Sequence, residues 1–416
     1  MHLVKSLLSL AALLPIALPA ATLCVNPTGS GPCYATISAA VTAAAPNDII
    51  DVGPGTYSES VLITKPLSLV GYLATIDATG LARGIFVNGM AIANLSEVHI
   101  SGFTVKKANF EGILIANSSA VSVSNNTILD NNQSLTNATC PGIDSFEPGE
   151  QMDCGEGIHL LGSDHVIVTG NTVHGNSGGI LLSDDTCTTH DNLISFNTVT
   201  DNPFACGIVL ASHVPAAITG SAAPLGVFHN TIYANHSEKN GLSGGTGAGV
   251  GIFASIPGAS SYGNVVVDNF LKDNGLPGIA IHSHTPNQNV NDNMLVGNTV
   301  IGNAADTADA ATPGPTGINL YSFVPATGNI ISANSFHDES IDVAISTAAL
   351  VQVHFNNLLG GATGLDNIGT GSVDATESWW GCPHGPGSGG NCSSIIGADV
   401  LSAPWLLLPA TTQPNH

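Results

Sequence analysis

The sequence predicts an all-β chain wound as a solenoid, and three observations carry that expectation. One phrase recurs along the chain: EGILIANSS at 111, EGIHLLGSD at 156, GGILLSDDT at 178, CGIVLASHV at 206, VGIFASIPG at 250, PGIAIHSHT at 277 and TGINLYSFV at 316. A companion phrase follows each: NTILDN at 126, NTVHGN at 171, NTVTDN at 197, NTIYAN at 230, NFLKDN at 269, NTVIGN at 298 and NSFHDE at 334. A third short apolar run lies between the two, as in VSVS, VIVT and VVVD, so each repeat holds three strands. The composition agrees. The chain has 48 Gly among 416 residues and is rich in Val, Ile, Asn, Thr and Ser, while its 43% hydrophobic content is enough for a long core and argues against disorder.

Taken in order, residues 1–21 read as a signal peptide. Lys5 is followed by the apolar run Leu7–Ile16 and then Ala17-Leu18-Pro19-Ala20-Ala21. That run is too short to span a bilayer, and no later stretch is long enough, so export without a membrane span is expected, to the periplasm or outside the cell. From 49 to 376 the repeats should stack strand on strand, about 4.8 Å apart. Ile180 and Leu182, or Ile279 and Ile281, then point inward and form ladders. Asn126, Asn171, Asn197, Asn230, Asn269 and Asn298 should fall at one corner, their amides bonding along the stack, since Asn also tolerates the dihedrals of a tight corner.

The entry YATISAAVTAAAPNDIIDVGPGTYSESVLITKPLSLVG and the exit VDATESWWGCPHGPG…APWL, with the repeats between them, resemble the right-handed parallel β-helix proteins of the pectate-lyase-like superfamily. The resemblance covers nearly all of the mature chain. It implies an N-terminal cap over 22–48, with a short helix in Ala35–Ala45, and a C-terminal cap over 377–416 closed by Trp379, Trp380 and Trp405. The fold alone does not fix a function, because it carries lyases, hydrolases, epimerases and adhesins.

Eight cysteines suit an exported chain. Cys24 with Cys33 and Cys382 with Cys392 would each close a short loop, and Cys140 with Cys154 would bracket an irregular segment. Cys187 and Cys206 are left over, their pairing open. Seven Lys plus Arg against 30 Asp plus Glu give a formal charge of −23. That excludes ordinary binding to a nucleic-acid backbone and repels polyanions unless a cation bridges.

Outward positions on the first strand of each repeat follow from alternation. One column carries Asp185, His213, His284 and Phe323; His282 and Tyr321 stand beside it, with Asp184 and Asp164 at strand ends. Insertions flank this strand at 132–155, 236–250 and 304–316, as walls of a groove would. Three chemistries fit these residues. Glycoside hydrolysis would use Asp184 and Asp185 as acid and base, with Asp164 helping, His213 and His284 shuttling protons, and His282, Tyr321 and Phe323 lining sugar subsites. This resembles the polygalacturonase style of site, although that family's Gly-His-Gly and Arg-Ile-Lys segments are missing. A polysaccharide lyase or uronate epimerase would take His213 or His284 as base and Tyr321 as acid, with calcium on Asp164, Asp184 and Asp185. Asp185, His213, His282 and His284 also have ligand types suited to zinc or copper. Against all of these stands a non-enzymatic surface or adhesion protein, which would show a flat outer face. The expectation is a monomeric enzyme acting on a polysaccharide, with a lean to hydrolysis.

Overall fold

The computed structural model describes residues 20–136, 139–147, 155–308 and 312–411, so most of the expected signal peptide lies outside it. Strand pairing is parallel in every ladder, with twelve strands from Val61–Ile63 to Ser394–Gly397 forming one wall. A 23-stranded sheet makes the other two sides of the coil, joined where the long strands Leu67–Asp77 and Val98–Lys106 turn a corner at a register shift. A third, three-stranded sheet of Thr189–His190, Val227–Phe228 and Ser261–Tyr262 fills one corner.

The core is the column of alternate residues. Ile113, Ile158, Ile180, Ile208, Val250, Ile279 and Ile318 stack in register and are fully buried. Such ladders bury apolar area continuously along the axis, where no single coil has an inside of its own. The Gly before the core residue is set by room. A Cβ on Gly179 would meet the Gly207 carbonyl oxygen at 2.1 Å.

Two repeats sit in a different register from the one their phrases suggest. In the phrase VGIFASIPG it is Gly249–Val250, not Gly251–Ile252, that pairs with Gly207–Ile208 and Gly278–Ile279. A slip of two keeps the inside–outside alternation, so the pattern could not reveal it. Likewise Asn230 does not join the expected column. Asn126, Asn171, Asn197, Asn235, Asn269, Asn298, Asn334 and Asn356 form one ladder, and Asn230 belongs to a second with Asn192, Asn264 and Asn293. The left-handed residue at these corners is the one before the Asn, such as Phe196 (φ 54°), Ala234 (φ 52°) or Asp268 (φ 56°). The Asn itself is needed for its amide.

The helix Ile37–Ala43 lies where the entry segment was expected to form one. Thr36 caps it by accepting from the Ala39 amide, and the Glu59 carboxylate takes the Ile37 and Ser38 amides at 2.8 Å each. Ile37, Ala40 and Val41 are buried against the first coils. Pairing runs past the expected boundaries of the solenoid at both ends. Thr22–Val25 already pairs with Ile49–Val52, and Ser394–Gly397 and Val400–Leu401 continue the stack beyond 376. Disulfides join Cys24 to Cys33 and Cys382 to Cys392. Cys154 lies outside the described residues. Cys187 and Cys206 are not joined, the first exposed and the second buried with its sulfur 3.3 Å from the Ala248 amide.

Candidate active site

The outer face of the twelve-stranded wall carries the predicted column, and the structure splits it into two clusters. The first gathers around Asp184 and Asp185, where the strand Ile180–Ser183 ends. Asp184 is fully buried. One carboxylate oxygen accepts the His213 amide at 2.7 Å, and the other accepts from Ser212 Oγ at 2.8 Å, Leu225 N at 2.9 Å and Gly226 N at 2.5 Å. Both oxygens are thus spent on holding the 213–226 segment. Burial keeps this carboxyl above the usual range against the pull of those donors. Asp185, also buried, takes Ser183 Oγ at 2.5 Å and faces His213 Nδ1 at 3.3 Å. Burial would raise it as well, but His213 and Ser183 outweigh that and hold it below the usual range. The two aspartates therefore do differ in proton affinity, as hydrolysis requires. The cause is their separate surroundings, and neither reaches solvent.

This cluster extends to residues that the repeat pattern does not mark. Ser183 Oγ lies 2.8 Å from His159 Nε2, and His159 Nδ1 lies 3.6 Å from Glu147 Oε2. Arg83, the only arginine of the chain, bonds Glu111 and Asp144 at 2.7 Å each and also pairs with Glu147, under the rings of Phe86, Phe110 and Phe146. Glu111 and Glu147 are both pushed up to about 7, first by burial. Two signals pointed here: Glu precedes the Gly-Ile phrase only at 111 and 156, and His159 is an outward residue of its strand.

The second cluster sits three strands further along. His282 Nε2 is buried 3.1 Å from the Asn319 amide nitrogen and 3.7 Å from Asp306 Oδ2, with Phe253 against its ring. His284 stacks on Tyr321, ring centroids 5.2 Å apart and planes 29° from parallel, and both are half-buried. Gln288 fixes the loop by accepting the His284 amide and donating to the carbonyls of Ala254 and Ile256. Phe323, 60% exposed, lies two residues after Tyr321 and donates its amide to the Ser283 carbonyl at 3.0 Å. Asp185 and His213 are thus together, whereas His284 joins His282 and Tyr321 instead.

Asp164 belongs to neither cluster. It accepts from Ser119 Oγ at 2.7 Å and pairs with His165 at 2.6 Å, at the start of a stripe continued by the stacked rings of His190, Phe228 and Tyr262. The structure therefore does not assemble Asp164 with Asp184 and Asp185 as a calcium set, nor Asp185 and His213 with His282 and His284. Among the described residues, the one group of three such side chains with ligand atoms within 4.8 Å of one another is Glu111, Glu147 and His159. A surface hollow lined by Ala333, Phe355 and Leu406–Thr411 lies away from this wall and carries no titratable group.

Comparison with known proteins agrees with the fold. The profile of the family described as right handed beta helix region matches residues 82–237. No curated protein sequence matches the chain. Among solved structures, the catalytic unit of the thermostable GH87 α-1,3-glucanase from Streptomyces thermodiastaticus strain HF3-3 superposes with a TM-score of 0.51. It is 15% identical and covers 94% of this chain and 70% of its own. The Dettilon tailspike protein gives 0.51 at 11% identity, over 86% of this chain and 62% of that one. An alginate lyase from Paenibacillus sp. str. FPU-7 gives 0.46 at 12%, over 88% and 95%. The chain is a right-handed parallel β-helix protein. At these identities the likeness is one of fold. Among the described residues no helix is long and apolar enough to cross a membrane.

Proposed function

We propose that the chain is an exported carbohydrate-active enzyme in which His284 and Tyr321 form the acid–base pair, acting by β-elimination on a uronate polymer. The observation that carries this is accessibility. His284 and Tyr321 lie side by side and half-open beside exposed Phe323, whereas Asp184, Asp185, His213 and His159 are all buried. A candidate base must come within hydrogen-bond reach of the proton it removes. The imidazole would take the proton next to the substrate carboxyl, and the phenol would protonate the departing glycosidic oxygen.

Charge narrows the substrate. Arg83 is held by three acids, Lys106 pairs with Asp77, and Lys239 and Lys272 gather at Glu238. None of them neutralises a carboxylate at His284, and the chain carries −23 overall. A uronate presented as its neutral ester fits better than a free polyanion, and an ester also makes the neighbouring proton more acidic.

The test is to incubate the protein with esterified and de-esterified polyuronates and with neutral glucans, with and without chelator. The proposal expects the ultraviolet band of an unsaturated product from the esterified polymer. Reducing ends without that band would mean hydrolysis and would overturn the elimination. The burial of the aspartates favours one other reading, a surface protein that binds polysaccharide without turnover. Binding with no product from any polymer would establish it.

A further inference from the structure

We infer that Glu111, Glu147 and His159 form a binding site for a divalent transition-metal ion of the zinc type, fastening the 139–147 segment to the twelve-stranded wall. Hydrogen bonding by their neighbours points all three ligand atoms at one spot. Arg83 Nε bonds Glu111 Oε2, and another of its nitrogens bonds Glu147 Oε1. That leaves Glu111 Oε1 and Glu147 Oε2, which are buried and have no hydrogen-bond donor. Carboxylate oxygens buried without a donor are costly, so each needs a proton or a cation.

The third ligand is set from the other side. Ser183 has one hydroxyl proton, and its 2.5 Å contact with the Asp185 carboxylate claims it. Ser183 Oγ must then accept from His159 Nε2, 2.8 Å away. The imidazole proton is thereby placed on Nε2, and the Nδ1 lone pair faces Glu147 Oε2 at 3.6 Å. This nitrogen and the two glutamate oxygens lie within 4.8 Å of one another. Ligand atoms about 2.0 Å from a tetrahedral zinc lie roughly 3.3 Å from each other, so little movement is required there. The chain Asp185–Ser183–His159 has the form by which a carboxylate orients a metal-bound histidine through its second nitrogen.

Two oxygens and one imidazole nitrogen suit zinc, cobalt or manganese better than calcium, which takes six to eight oxygen ligands. Two glutamates balance the ion's double charge, while Arg83 and Asp144 balance each other. His159 lies on the strand Ile158–Leu161, four places along the wall from the strand Ile279–Ser283 that leads into His284, so the site is a different cluster from the proposed catalytic pair.

The experiment uses the full chain, stripped with chelator and dialysed, then titrated with ZnCl2 by calorimetry and with CoCl2 by visible absorption. One ion per chain is expected, with a rise in Tm and a tetrahedral cobalt spectrum. Glu147→Gln and His159→Ala should lose the ion, and Ser183→Ala should weaken binding about 10- to 100-fold through loss of orientation. His165→Ala with His190→Ala, which removes surface imidazoles, should leave it unchanged. Should a ligand variant not fold, the wild-type cobalt spectrum still decides. Absence of any stoichiometric uptake by the wild type would overturn the site and mean that the glutamates share a proton instead. Uptake that survives Glu147→Gln and His159→Ala but not the surface pair would overturn it too.

Discussion

At the scale of single residues, one arginine dominates. Arg83 meets two fully buried glutamates and half-exposed Asp144, so its charge is what makes the burial of Glu111 and Glu147 tolerable. Breaking a buried ion pair by removing one partner costs about 3–5 kcal/mol, because the other charge is left uncompensated. Arg83→Met should therefore lower the unfolding free energy by about that much, measured by urea denaturation. A change under about 1 kcal/mol would mean that the glutamates are neutral without it. Part of this centre was legible in the repeats. Alternation along the strands gave Asp185 and His213 on one face, and they do meet. Glu147 was out of reach because it lies in the 132–155 insertion, where no repeat supplies a ruler. Glu111 sits at a corner, where alternation does not say which way a side chain points. Burial was illegible too. Asp184 is closed off by the 212–226 segment, which supplies Ser212 Oγ and the amides of His213, Leu225 and Gly226, and no repeat announces that cover.

At the scale of elements, the corners are held by amide ladders. Asn269 donates its backbone N–H and its Nδ2 to Asn298 Oδ1, both at 3.0 Å. Its Nδ2 also reaches the Ile232 carbonyl at 2.9 Å, and its own Oδ1 accepts twice from Asn235. Replacing it by Ala leaves two buried donors of Asn235, its backbone N–H and one Nδ2 hydrogen, without an acceptor. At about 1–3 kcal/mol for each orphaned group, Asn269→Ala should cost roughly 3 kcal/mol or more, read from the shift in denaturation midpoint. Asn269→Asp, which keeps the acceptor, should cost less near its pKa than at neutral pH. The sequence announced these ladders clearly, since Asn-Thr-Val and its variants repeat at each corner. It did not separate the columns, because two corners of the coil use Asn for the same purpose. NTIYAN therefore looks like NTVTDN although its strand pairs one position earlier in the coil. Parallel pairing with a period of two explains the displaced phrase at 250 in the same way.

At the scale of the whole molecule, an acidic chain has been built with several carboxyls that prefer to be protonated. Glu339 ends an Asn ladder, accepting the Asn303 amide at 3.0 Å and Asn303 Nδ2 at 2.9 Å, and burial pushes it up to about 7. Asp342, in the column that other repeats fill with Gly, is raised as well, first by burial and then by Glu339. A carboxyl that binds its proton more tightly folded than unfolded stabilises the fold fully below its unfolded value. That contribution is lost as pH rises through the folded value. Stability should thus fall between about pH 4.5 and pH 7, and Tm at about pH 5 should exceed that at about pH 8. Glu339→Gln keeps the ladder acceptor and should flatten the dependence, and a profile unchanged by it would assign the titration elsewhere. The solenoid was readable almost entirely from repeated phrases, since every coil states the same rule. Function was not, because it rests on which outward side chains the loops leave uncovered. The most direct measurement is the rate of product formation by His284→Ala and Asp185→Asn beside the wild type, on whichever polymer is turned over. Loss of general acid–base catalysis removes about 10²- to 10⁴-fold in rate, so His284→Ala should fall by at least about 100-fold while folded Asp185→Asn stays within a few-fold. Full activity in His284→Ala, with Asp185→Asn inactive, would contradict the account and return the chemistry to the buried aspartates.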